Sequence, residues 1–181
     1  MLFRSIIFRL DPLQTNFSSL SNLRKVGSHE VYHVFQEGIL ADCNCTTEDL
    51  GAPLGRWYLE GAAEYVGYAD TWGTSSATRA RIQKQFLSIV RDPKVSVPLR
   101  AVSTALSGVS TDVGIDAGRV YPRAYFAVQY LIDRFGEDLV LNQFYGRVVA
   151  AGDWCVAFQQ SFGLTEDQFD AQFQAWLTTL K

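Results

Sequence analysis

The 181-residue chain contains two histidines, His29 and His33, and both lie in the five-residue segment HEVYH. Side chains four residues apart share one face of an α-helix, so the two imidazoles converge on one point if this segment is helical. Neutral imidazole is a good ligand for zinc. Glu30 would flank a metal ion held there and take a proton from a water molecule, as a general base does. The segment therefore predicts a helix that carries a metal site.

Chance produces the same pattern often enough that it needs support from elsewhere in the chain. Glu60 gives this support because it lies in WYLEGAAEY, part of a second predicted helix over residues 56–69 with an apolar character. A buried carboxylate without a partner is costly, and a metal ion would remove that cost. The absence of histidine from the rest of the sequence also favours a metal site over coincidence.

The remaining sequence predicts one mostly helical domain over residues 1–181. Apolar residues recur at helical spacing, and serine, threonine, proline and glycine mark the places where helices begin and end. A short strand is predicted at 2–10, and glycine-rich loops at 38–56 and 108–120. Helices are predicted at 24–36, 56–69, 75–92, 122–135, 137–151, 153–162 and 166–180, with a short one after Pro98.

Individual residues set several of these limits. Gly38 is a natural stop for the first helix, and Pro122 suits the first position of the helix that it opens. Thr165 and Gln168 form the signature of a capping box at the start of the last helix. That helix carries apolar side chains at three- and four-residue steps, which predicts a face directed at the core: Phe169, Phe173, Trp176, Leu177 and Leu180.

Composition excludes several classes of protein. The formal net charge is −3 and no run of lysine or arginine occurs, which argues against nucleic-acid binding. No apolar run reaches the roughly 18 residues of a membrane span, and the first residues lack the apolar stretch of a signal peptide. Three cysteines are too few for a disulfide framework, and Cys155, in an amphipathic segment, is predicted to be buried.

The segments HEVYHVFQ and RWYLEGAAEYV together resemble the glutamate-zincin (peptidase MA-like) metallopeptidases, especially bacterial collagenase-like catalytic domains. The resemblance implies a zincin-like α+β fold that is mainly α, with the HEVYH helix, a C-terminal helical subdomain and a minimal N-terminal sheet. It implies one zinc ion per chain with His29, His33 and Glu60 as ligands, Glu30 as the general base, and a peptide or protein substrate.

Two further roles are implied by the resemblance, each beside an ordinary alternative. Glu64 corresponds to a carboxylate that orients a zinc-bound histidine, although a partly exposed helix acid would carry the same sequence signal. Tyr121, in the segment VYPRAYFAVQYL, corresponds to a tyrosine that donates a hydrogen bond to the oxyanion, and Tyr125 one turn later is the competing candidate. Both tyrosines would otherwise be core or surface aromatics.

Glutamate-zincins place a sheet before the HEVYH-type helix, and its edge strand pairs with the substrate. Only 28 residues precede His29, which predicts either a minimal sheet or that the chain is a fragment or a shortened form of the fold. A metal-retaining but inactive binding module is therefore the alternative to a peptidase. A helical structural protein with a chance pattern is the third possibility. Relatives of this kind are often secreted or membrane-associated, whereas this chain shows no export signal.

Overall fold

The computed structural model describes residues 19–41, 55–107 and 117–181, with the side chains at 117 and 118 left undescribed. These residues are mainly helical and contain no strand. The predicted strand at 2–10 lies outside them, as does most of both predicted loops. The helices are α1 (Leu20–Leu40), α2 (Arg56–Trp72), α3 (Ser76–Val90), α4 (Leu99–Leu106), α5 (Ala117–Phe135), a π-helical segment (Leu139–Gln143), α6 (Phe144–Ala151), α7 (Trp154–Phe162) and α8 (Glu166–Thr179).

Helix α1 is longer at both ends than the prediction of 24–36. It begins at Leu20 because the Ser19 side chain accepts a hydrogen bond from the Asn22 amide and caps the first turn. It also continues through Gly38, where the predicted stop was wrong. Leu40 is buried in the core, and burial of this last turn outweighs the weak helix propensity of one glycine.

Helix α5 begins five residues before Pro122, so the prediction that this proline occupies the first helical position was wrong. Proline inside a helix removes one backbone hydrogen bond. The additional turn packs against the core through Val120, which is fully buried. Residues 117–120, predicted as the end of a loop, therefore belong to the helix.

The other helix limits follow the capping signals in the sequence. The Ser75 side chain accepts from the Thr78 amide at the start of α3. Thr165 and Gln168 form both hydrogen bonds of a capping box at the start of α8. Gly136 and Gly163 follow α5 and α7 with φ values of +89° and +69°, which glycine adopts without strain.

Helix α2 lies at the centre of the fold and packs against both α1 and α5. Two of its residues, Gly61 and Gly67, allow these helices to approach closely. A Cβ atom at Gly61 would lie 2.4 Å from the carbonyl oxygen of Ala124 in α5, and one at Gly67 would lie 2.7 Å from the carbonyl oxygen of Lys25 in α1. The close approach brings the side chains of α1 and α2 that are considered below into contact.

Gly61→Ala is expected to lower the free energy of unfolding by about 1–3 kcal/mol, because the added methyl group overlaps backbone atoms of α5. Gly146→Ala is the matched control, since nothing lies within 4 Å of a Cβ at this position within α6. The control should gain up to about 1 kcal/mol from helix propensity. Urea unfolding of both variants measures the difference. Equal stabilisation of both would contradict the close packing of α2 on α5.

The π-helical segment, which continues into α6, forms hydrogen bonds with α1 and α2. Two of its backbone carbonyls accept hydrogen bonds from side chains of these helices. Tyr58 on α2 donates from its hydroxyl to the Val140 carbonyl at 2.7 Å, and Tyr32 on α1 donates to the Leu141 carbonyl at 2.6 Å. Both tyrosines therefore position their helices through buried hydrogen bonds.

The predicted core face of α8 is confirmed, with Phe169, Phe173 and Leu177 buried and the other two residues partly buried against the core. Cys155, in contrast, is exposed, so its predicted burial was wrong. The buried face of α7 is formed by Trp154, Ala157, Phe158 and Phe162, and Cys155 projects away from it. Among the described helices, none is both long and apolar enough to cross a membrane.

Candidate metal centre

Three side chains from α1 and α2 direct one donor atom each towards a common point. The Nε2 atoms of His29 and His33 lie 3.1 Å apart. Glu60 Oε2 lies 3.4 Å from the first of them and 3.2 Å from the second. His29 and Glu60 are buried, whereas His33 is partly exposed. Two imidazole nitrogens and a carboxylate oxygen in this arrangement can hold a metal ion.

Glu64 lies on the far side of the His29 ring from this point. Its Oε1 atom is 3.2 Å from His29 Nδ1, although the two are not aligned as in a full hydrogen bond. The same oxygen accepts from Lys25 Nζ at 2.5 Å. The carboxylate is 5 % exposed and so is not an exposed helix acid. It therefore sits where it favours a proton on His29 Nδ1 and leaves Nε2 facing the common point.

Gln36 forms a full hydrogen bond with the His33 ring. Its Oε1 atom lies 2.7 Å from His33 Nδ1, three residues earlier on α1. The sequence analysis missed Gln36, although its position on the histidine face of the helix was a signal that it could reach the ring.

Arg56 holds the third side chain of the centre and was also missed. Its Nη2 atom donates to Glu60 Oε1 at 2.8 Å, one turn along α2. The other carboxylate oxygen, Oε2, is the one that faces the two histidines. An arginine four residues before a buried acid was the available signal in the sequence. His33 and Glu60 thus each have one atom at the common point and a second atom bound by a neighbour, Gln36 or Arg56, whereas His29 Nδ1 lies 3.2 Å from Glu64 without a full hydrogen bond.

The two predicted catalytic residues, Glu30 and Tyr121, come from two different helices, α1 and α5. Glu30 follows His29 on α1, is half-buried, and forms no hydrogen bond or ion pair within the described part of the chain. Tyr121 approaches from α5, with its ring centroid 6.2 Å from that of His29. Burial, together with the nearby carboxylates Glu60 and Glu64, raises the pKa of Tyr121 to about 12, so its hydroxyl keeps its proton.

Tyr125, the competing candidate, lies in the core. It is 2 % exposed and stacks on Tyr65 with 6.0 Å between ring centroids. Tyr68 packs edge-on against the same ring at 5.4 Å. Of the two tyrosines, Tyr121 is therefore the one in ring contact with His29.

Without a metal ion, ionic interactions determine the protonation states of His29 and Glu60. Burial alone would lower the pKa of His29, but Glu60 and Glu64 outweigh burial and raise it to about 9. For Glu60, burial would raise the pKa, but His29, His33 and Arg56 outweigh this and hold it well below its usual range. Near neutral pH His29 is therefore protonated while Glu60 is ionised.

Metal binding near neutral pH is expected to release about one proton per chain, because a metal ion needs the neutral imidazole of His29. The affinity for the metal should rise with pH up to about 9, and metal binding should release no proton from His29 above that pH. Isothermal titration calorimetry in buffers with different ionisation enthalpies measures the proton count. The Glu64→Gln variant should release fewer protons on metal binding, since one of the carboxylates that raise the pKa of His29 is lost. Binding without proton release near neutral pH would contradict the raised pKa.

A helical protein that presents two imidazoles and a carboxylate at one buried point has the ligand set of a metalloprotein. Comparison with known families identifies it further. The model of peptidase family M9, collagenase, matches residues 2–176, so the chain belongs to this family of metallopeptidases.

A relative with a curated description is the microbial collagenase of Vibrio parahaemolyticus, which is 26 % identical over 125 residues. The match covers 69 % of this chain and 12 % of the relative, so the chain corresponds to a small part of that protein's length. No solved structure matches the chain significantly.

Proposed function

We propose that the protein is a zinc-dependent metallopeptidase that hydrolyses peptide bonds, with His29, His33 and Glu60 as the zinc ligands. The observation that carries the proposal is the triangle of donor atoms, whose sides are 3.1, 3.2 and 3.4 Å. Ligands of a tetrahedral zinc ion at 2.0–2.1 Å lie about 3.3–3.4 Å from one another, so the donor set fits this ion. When bound, zinc supplies Lewis-acid chemistry, which polarises a carbonyl group and makes water more acidic.

Glu30 is the general base in this proposal. It neighbours a ligand on α1, and its carboxylate has no hydrogen-bond or ion-pair partner among the described residues, so its oxygens are available to accept a proton. The carboxylate takes a proton from the attacking water and delivers it to the amine that leaves. General acid–base catalysis of this kind contributes about 10²–10⁴-fold to a rate.

Tyr121 is the oxyanion donor. Its phenol keeps its proton up to a pH of about 12. No hydrogen bond within the described residues engages its hydroxyl. A donor aimed at the charge that develops on the carbonyl oxygen lowers the barrier by about 3–4 kcal/mol in known cases. The ring contact with His29 supports this role for Tyr121 over Tyr125.

The substrate class follows from family membership and from the naming of the Vibrio relative as a collagenase. We infer a peptide or protein substrate, and a single zincin-like catalytic domain over residues 1–181. The matched region is a small part of that relative, so neither collagen cleavage nor any other activity of the whole relative is assigned to this chain.

Metal-dependent hydrolysis tests the proposal. Protein loaded with one equivalent of zinc should cleave an unstructured protein substrate, lose this activity on treatment with a chelator, and regain it when zinc is returned. Mass spectrometry of the products identifies the cleaved bonds. Zinc binding without cleavage would identify a binding module, and the proposed peptidase function would then be wrong.

A further inference from the structure

Gln36 is a buried amide at the junction of α1, α2 and α6, and it is 2 % exposed. Its Oε1 atom faces His33 Nδ1 at 2.7 Å. Its Nε2 atom faces two oxygens, the Leu59 carbonyl at 3.0 Å and the Tyr145 hydroxyl at 2.7 Å. Both polar atoms of this side chain therefore have hydrogen-bond partners.

The Leu59 carbonyl determines which way this amide points. A backbone carbonyl can only accept, so the amide group next to it must be the NH₂ donor. The oxygen of Gln36 then has to face the His33 ring, and an oxygen at 2.7 Å from a ring nitrogen requires a hydrogen on that nitrogen. In a neutral imidazole the remaining nitrogen, Nε2, then carries the lone pair.

A second oxygen is compatible with the same orientation of the amide. The Tyr145 hydroxyl lies 2.7 Å from Gln36 Nε2 and can accept a hydrogen bond from it.

We infer that Gln36 is a positioning residue that fixes neutral His33 in the tautomer with the hydrogen on Nδ1 and the lone pair on Nε2. The lone pair then points at the same place as His29 Nε2 and Glu60 Oε2 before any metal arrives. Free imidazole does not hold this tautomer by itself, so the protein sets it through the Leu59 carbonyl and the amide of Gln36. The expected effect of Gln36 on zinc affinity rests on the proposed function, whereas the tautomer of His33 does not depend on that function.

The tautomer can be observed directly in the metal-free protein. The chain has only two histidines, so a protein labelled in its histidine side-chain nitrogens gives two sets of ring signals. Long-range proton–nitrogen spectra, recorded above the ordinary histidine titration range, distinguish protonated from unprotonated ring nitrogens. A His29→Gln sample assigns the two rings. Wild-type His33 should show a protonated Nδ1; a protonated Nε2 would overturn the inference.

Variants separate positioning from general stability. Gln36→Met keeps the length of the side chain but removes the acceptor, so His33 should lose its tautomer preference and zinc affinity should fall about 10–100-fold. Gln36→Glu keeps an acceptor opposite Nδ1 and should retain the tautomer despite a lower melting temperature. Glu37→Met, at the exposed neighbouring position, is the control for substitution on this helix.

Tyr145→Phe is the structural control. It removes one hydrogen bond of the amide and destabilises the core, but the Leu59 carbonyl still orients Gln36, so the tautomer should persist. An unchanged tautomer and an unchanged zinc affinity in Gln36→Met would overturn the inference, as would loss of the tautomer in Gln36→Glu. Absence of zinc binding in the wild type, with the expected tautomer present, would count against the proposed function alone.

Discussion

Glu30→Gln is expected to retain zinc and the fold while lowering kcat by about 10²–10⁴-fold, the contribution of a general base. The substitution changes one oxygen to an amide nitrogen, and the amide cannot take a proton from water. Glu30 is the sequence neighbour of His29 but supplies none of the three donor atoms, so zinc affinity should change little. Steady-state hydrolysis of an unstructured protein, with zinc content and melting temperature measured on the same samples, tests this expectation.

Glu37→Gln is the matched control for this variant, because Glu37 is exposed on the same helix. It should leave kcat, zinc content and melting temperature unchanged. Full activity in Glu30→Gln would remove Glu30 from the mechanism. Loss of zinc in this variant would show that Glu30 contributes to metal binding instead.

Glu60→Gln is expected to weaken zinc binding more than Glu64→Gln does. Glu60 contributes a donor atom 3.2 Å and 3.4 Å from the two histidine nitrogens, whereas Glu64 acts only through His29 Nδ1. Loss of an orienting partner costs about 10–100-fold in affinity, and loss of a ligand should exceed that range. Competition with a chromophoric chelator measures both dissociation constants.

Each variant leaves a cation without its carboxylate partner, Arg56 in one case and Lys25 in the other. Melting temperatures of the metal-free proteins are therefore needed to separate folding from binding. An equal or larger loss of affinity in Glu64→Gln would contradict the assignment of Glu60 as the ligand.

The parts of the fold that depend on local signals were predictable from the sequence. Caps such as Ser75 and the Thr165–Gln168 pair are decided by hydrogen bonds within one turn, so their residue types are sufficient. The limits of α1 and α5 are decided by burial of Leu40 and Val120 against other helices. Burial of this kind cannot be deduced from residues next to a glycine or a proline.

The candidate site likewise has features that the sequence could predict and features that it could not. His29 and His33 converge because of helix geometry alone, which a four-residue spacing already implies. Glu60 comes from another helix; its apolar context indicated that it needs a partner, but its place as the third ligand came from the resemblance to glutamate-zincins. Gln36 could not be given a role, because its orientation depends on a carbonyl of α2 and a hydroxyl of α6.

The zinc content of the purified protein, after reconstitution and removal of excess metal, tests the central claim most directly. The wild type should hold one zinc ion per chain, and His33→Ala, which removes one of the three donors, should hold none under the same conditions. Melting curves confirm that the variant remains folded. A wild-type protein without zinc, or a folded His33→Ala protein with a full complement of zinc, would contradict the metal centre proposed between α1 and α2.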